Sequence, residues 1–111
     1  MQIDEHSQAA VAFLSPRGPL VGDDAAVLAG RVRKASAEQH GRVVVDLSSV
    51  PYVDSLGLEQ LAELGEAFGG VARSLKLASL NETLREVLDL TGVARHCELF
   101  TDASSAVRSF E

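Results

Sequence analysis

The chain has 111 residues, of which 46% are hydrophobic and 23% charged. That is the length of a single domain spanning residues 1–111, with room for a core but not for an additional substrate domain. A formal net charge of −6 leaves little of the basic surface that phosphate neutralisation needs, which argues against nucleic acid as the principal ligand.

Met1 to His6 is polar and acidic, without the basic and apolar regions of a signal peptide. No apolar run approaches the ~20 residues of a membrane span. Cys97 is the only cysteine, so no internal disulfide forms, and a cytoplasmic location is the expectation. Ala9 to Leu14 reads as the first strand, Ser15-Pro16-Arg17-Gly18 as a turn, and Pro19-Leu20-Val21 as a short returning edge strand. Gly22-Asp23-Asp24 opens a helix with an aspartate cap, running to about Ser36 with Val27, Leu28, Val32 and Ala35 inward. Arg31, Arg33 and Lys34 crowd its second half, where cations complement the helix dipole.

Val43-Val44-Val45, closed by Leu47, is a β-branched run suited to a strand buried on both faces. Ser48-Ser49 turns, and Pro51 pushes Val50 towards extended geometry. With Asp54 as N-cap, Val53 and Leu58 take the spacing of a hydrophobic staple. Ser55 then falls in the first helical turn, where a phosphate would meet the positive end of the helix. Leu58, Leu61, Ala62, Gly65 and Phe68 form the core stripe. Glu59, Glu63 and Glu66 recur on another face, with Ser55 one turn before Glu59. Gly69-Gly70 ends the helix, and Leu75 to Ser79 is a strand. Asn81 caps a third helix with Leu84, Val87 and Leu88 inward and Gly92 as a left-handed stop. Glu98 to Phe100 is a short last strand. Thr101 or Asp102 caps a final helix to about Phe110, with Ala103, Ala106, Val107 and Phe110 inward.

The strand, loop, Asp-Ser-x-Gly-Leu and helix resemble the central signature of STAS domains, found in bacterial anti-sigma factor antagonists. The resemblance extends over nearly the whole chain, including Asn-x-x-Leu-Arg at the third helix and Leu-Thr-Gly-Val at its end. It implies a single α/β STAS-like fold: a mostly parallel sheet of about four to five strands with about four helices. It also implies that Ser55 is phosphorylated by a serine-kinase anti-sigma factor and dephosphorylated by a PP2C-type phosphatase. Leu56 stands where many phosphorylated members carry a second hydroxyl residue. The expected partner-binding residues are Asp54, Ser55, Leu56, Gly57, Glu59 and Glu63. The alternative is a non-phosphorylated STAS subunit of a lipid-transport ABC complex or a stressosome-like scaffold.

Enzyme chemistry finds little support in the residues. Val53-Asp54-Ser55-Leu56-Gly57 lacks the first glycine of a nucleophile elbow, and His6, His40 and His96 have no distinctive setting. Adjacent His96 and Cys97 do not make a four-ligand metal site, and no glycine-rich nucleotide loop is present. The expectation is a non-enzymatic binding module without catalytic residues, metal or cofactor.

Overall fold

The computed structural model describes residues 1–68 and 75–110. Its centre is the strand that the valine run builds. Five strands, β1 (Gln2–Gln8), β2 (Val11–Arg17), β3 (Val43–Asp46), β4 (Leu75–Ala78) and β5 (Cys97–Phe100), form one sheet in chain order. Strands β1 and β2 pair antiparallel, and every later neighbour is parallel. Val43, Val44 and Val45 are fully buried, because helices cover both faces of β3. On one face Val43 and Val45 join a large core with residues of α1 (Asp23–Glu38), α2 (Ser55–Phe68) and α3 (Glu82–Thr91). On the other, Val44 meets Ala106 and Val107 of the short α4 (Ala103–Arg108). This is the mostly parallel α/β layer architecture expected from strand–helix alternation.

The helix signals hold with adjustments. Asn81 caps α3 by accepting from the Leu84 N–H at 2.7 Å, and Gly92 ends it in the left-handed region at φ 81°. Asp102 caps α4 through the Ser105 N–H at 2.7 Å. In α1 the cap is Gly22, not an aspartate: Asp23 and Asp24 lie inside the first turn, where carboxylates favour the positive helix end. The helix runs two residues past Ser36, and its buried stripe is Ala25, Leu28, Ala29, Val32 and Ala35. Val27 points to solvent instead of inward. Leu64 is buried in α2 beside the expected stripe. The Gly69-Gly70 stop lies outside the described residues.

The N-terminal quarter differs from its reading. Gln2 to Gln8 is a strand, and Ala9-Ala10 is the two-residue turn that joins it to β2. Ser15 to Arg17 therefore continue β2 and do not turn. Counting from the Gln8–Val11 pair that closes the hairpin, Pro16 opposes Ile3 at a position that exchanges no hydrogen bonds, so its missing N–H leaves that ladder intact. Pro19 to Val21 do not form a returning strand. Leu20 instead makes an isolated parallel bridge with Val53, which ties the segment before α1 to the loop before α2.

One cation is built into the second face. Lys76 of β4 is 6% exposed, with Nζ 2.6 Å from Glu98 and 5.2 and 4.8 Å from the ring centres of Phe100 and Phe110. The ammonium lies over both rings and keeps a carboxylate partner in Glu98.

Candidate functional site

The site is the loop Leu47–Asp54 and the first turn of α2, at the carboxyl end of β3. Hydrogen bonds fix the loop at both ends and along its length. Asp46 accepts from the Ser48 N–H and hydroxyl at 3.2 and 3.0 Å and from the Ser15 hydroxyl at 3.2 Å. The Gly18 N–H donates to the Ser49 carbonyl at 3.0 Å. Asn81 Nδ2, on the residue that caps α3, reaches the Pro51 carbonyl at 3.2 Å. The Leu20 N–H donates to the Tyr52 carbonyl at 3.1 Å, and the Asp54 N–H returns a bond to the Leu20 carbonyl at 3.2 Å.

Asp54 is the cap that its spacing predicts, and it has a second role. Its Oδ1 accepts from the Gly57 N–H at 2.8 Å, while Oδ2 accepts from the Gly22 N–H at 3.0 Å. One carboxylate thus joins the N-termini of α1 and α2. Val53 and Leu58, on either side of the cap at the staple spacing, are both partly buried against the large core. The two N–H donors, Gly57 first and Gly22 second, hold the Asp54 carboxyl below its ordinary range. Because the folded value is depressed, its stabilisation is present above the unfolded value of about 3.9 and is lost as pH falls through the folded value. Asp4, held down chiefly by Arg17, and Asp102, held down chiefly by the Ser105 N–H, titrate in the same direction. Urea unfolding of Asp54→Asn between pH 5 and about pH 2 should therefore show a shallower acid limb than wild type, with Asp4 and Asp102 contributing to what remains. A limb of unchanged slope would mean that the carboxylate is not ionically engaged.

Ser55 is exposed in the first turn, and no hydrogen bond ties its hydroxyl to the described residues. Capping belongs to Asp54, so the hydroxyl is spared that duty. Leu56 is 50% exposed, and so is Tyr52 at 53%; together they put apolar surface before and after the serine in sequence. Glu59 and Glu63 are exposed along α2, and Glu66 lies 3.8 Å from His96 Nε2. Gly57 is buried, so its contribution is internal: a Cβ there would lie 2.3 Å from the Leu20 carbonyl oxygen. Tyr52, Gly22, Leu20 and Asn81 were not singled out for the site by the sequence. Only Tyr52 carried a local signal, as the single tyrosine of the chain in the loop before α2.

The histidines are placed elsewhere. His96 stands by Glu66, 11 residues along α2 from Ser55 and so roughly 16 Å along its axis. His40 lies beyond the far end of α1, and His6 lies against Phe13 with the rings tilted by 38° and 4.8 Å between centroids. Burial pushes the Cys97 thiol up to about 11, away from a reactive thiolate. No cluster of metal-ligating side chains occurs among the described residues, and no helix among them is long and apolar enough to cross a membrane.

The family model of the STAS domain matches residues 2–106. The chain belongs to the STAS domain family. Solved structures give the same fold at low identity. An anti-sigma factor antagonist from Mycobacterium paratuberculosis superposes with a TM-score of 0.82 at 22% identity, over 97% of this chain and 92% of that one. The anti-sigma factor antagonist SpoIIAA, in its unphosphorylated form, gives 0.73 at 13%, over 98% and 97%. The murine anion transporter Slc26a9 gives 0.74 at 17%, over 95% of this STAS domain but 18% of the transporter. A search of curated proteins found no match.

Proposed function

We propose that this STAS domain is an anti-sigma factor antagonist whose binding to a serine-kinase anti-sigma factor is switched off by phosphorylation of Ser55. The observation that carries the reading is the division of labour at α2: Asp54 makes the cap, leaving the Ser55 hydroxyl exposed at a helix N-terminus. In the reaction, the Ser55 oxygen attacks the γ-phosphorus of ATP, the bond to the β-phosphate oxygen breaks, and ADP leaves. The hydroxyl proton passes to a base of the kinase, and a PP2C-type phosphatase restores the serine with water. The domain supplies the hydroxyl and the docking surface, not catalytic groups. Unphosphorylated, it occupies the anti-sigma factor and frees the sigma factor in the cytoplasm. Intact mass before and after incubation with the kinase and ATP tests the reading: wild type should gain one phosphate and Ser55→Ala none. An unmodified wild-type chain would refute it.

Docking would use Asp54, Ser55, Leu56, Glu59 and Glu63, with Tyr52 added and Gly57 shaping the turn from inside. An acidic strip beside an apolar patch suits a basic partner surface, and steering of that kind shows in rates. Glu59→Lys with Glu63→Lys should slow association about tenfold at low salt and flatten its dependence on ionic strength. Rates unchanged at every salt concentration would assign the glutamates to solvation alone.

The likeness to a domain within an anion transporter supports a second reading, in which the domain is a non-phosphorylated subunit of a transport complex or scaffold. In the lipid-transport form the partner is an ABC complex, and α2 remains the interaction face. The mass experiment separates the two readings.

A further inference from the structure

The turn that starts the sheet is chemically unsuited to its conformation. Ala9 and Ala10 have φ of 53° and 63°, so both sit in the left-handed region where a Cβ crowds the backbone. A two-residue hairpin loop with positive φ at both positions ordinarily takes Asn-Gly or Asp-Gly. Both alanines are exposed, so no packing on the pair compensates the crowding. The strand they restrain is lightly held. Among the described residues, the edge strand β1 has β2 as its only neighbour in the sheet, and Ile3 is the only one of its side chains that packs on the large core. Most of the rest is exposed, with surface ion pairs from Asp4 to Arg17 and Glu5 to Arg31.

From this we propose that β1 is an exchangeable strand, and that two copies of the chain form a two-fold dimer by trading it. Straightening Ala9-Ala10 releases the crowding at both residues in each chain. The ladder runs from Gln2–Arg17 to Gln8–Val11 with paired numbers always totalling 19. Continuing that register across the straightened hinge places Ala9 opposite Ala10 of the second copy. Every pair of the hairpin and both ion pairs re-form between the copies, and the hinge adds new pairs on the two-fold axis. A short hinge under strain is the arrangement that favours such a trade. The hinge lies at the start of β2, while the carboxyl end of β2 meets the Ser55 loop through Gly18 and Ser49. Seven residues of strand separate these ends by about 23 Å. The dimer therefore carries its two Ser55 faces at opposite ends and is bivalent.

The test uses the full chain, held at millimolar concentration, diluted to micromolar and measured at once by native mass spectrometry and light scattering. Wild type should retain a dimer that decays over minutes to hours, because its decay requires β1 to unpair. Ala9→Asn with Ala10→Gly, which relaxes the turn, should lower the dimer fraction at least about tenfold. Ala10→Val, which crowds it further, should raise the fraction. In a Cys97→Ala background, a mixture of chains carrying either Gln2→Cys or Arg17→Cys should form a disulfide between different chains under mild oxidation. Equal dimer fractions in all turn variants, dissociation within seconds of dilution, or absence of the mixed disulfide would each overturn the proposal.

Discussion

Gly57→Ala is expected to destabilise the domain by about 2–3 kcal/mol, although the same change inside a helix ordinarily stabilises by up to about 1 kcal/mol. The reversal comes from one atom. A Cβ at Gly57 would fall 2.3 Å from the Leu20 carbonyl oxygen and 3.2 Å from the Val53 Cβ. The first contact is with backbone, and that carbonyl already accepts the Asp54 N–H. To admit the methyl group, the Leu20 segment must move from α2, which stretches the Leu20–Asp54 bond and the Gly22–Asp54 bond together. Gly30 supplies the control. It lies in α1, exposed, and a Cβ there meets nothing within 4 Å. Gly30→Ala should therefore raise the urea midpoint while Gly57→Ala lowers it, with similar m-values in both. Equal shifts of one sign would show that the close approach at Leu20 relaxes at negligible cost.

This pair also marks where the sequence stops being legible. The strand, loop and helix around Ser55 announce themselves locally: a β-branched run, a proline, an aspartate at cap spacing and a helical apolar stripe. The Asp54–Gly22 bond joins residues 32 apart, and no local pattern encodes it. The Leu20 approach likewise explains Gly57 only after the chain has folded back. Strand β1 was illegible for a different reason. Six of its seven residues are polar, so neither alternation nor an apolar run identifies it. It is held by ladder bonds to β2, which is itself legible, and by ion pairs whose partners lie on β2 and α1. Its turn carries no turn chemistry, since Ala9-Ala10 resembles the apolar start of the following strand. The error at Val27 is one of helical phase: the buried stripe of α1 runs through Ala25 and Ala29, small residues that a hydrophobic count weighs lightly.

Phosphorylating Ser55 is expected to weaken partner binding at least about tenfold, or ~1.4 kcal/mol, while moving the melting temperature by no more than a few degrees. The two effects separate because the phosphate meets different surroundings within the chain and across an interface. Near pH 7 it adds about −1.5 to −2 charge. Within the chain that charge stands in the first turn of α2, where the helix dipole favours an anion. The cap beneath it is intact, because Asp54 and not Ser55 accepts the Gly57 N–H. Asp54 and Glu59 oppose the new charge, and the exposure of Ser55 lets water screen that repulsion, so dipole and repulsion largely offset. Across an interface the screening water is removed. A partner surface fitted to a neutral hydroxyl between Tyr52 and Leu56 must then desolvate a dianion or leave a gap, and neither is compensated by the α2 dipole. Ser55→Ala should bind at wild-type strength and stay bound when kinase and ATP are added. Ser55→Glu should stay folded and bind more weakly, by less than the full phosphate effect because it adds a single charge. Calorimetry of the complex beside thermal melts of the free chains decides the matter: phosphorylated protein that binds as tightly as Ser55→Ala, or that loses affinity only in proportion to a large fall in melting temperature, would exclude a local charge switch at this helix.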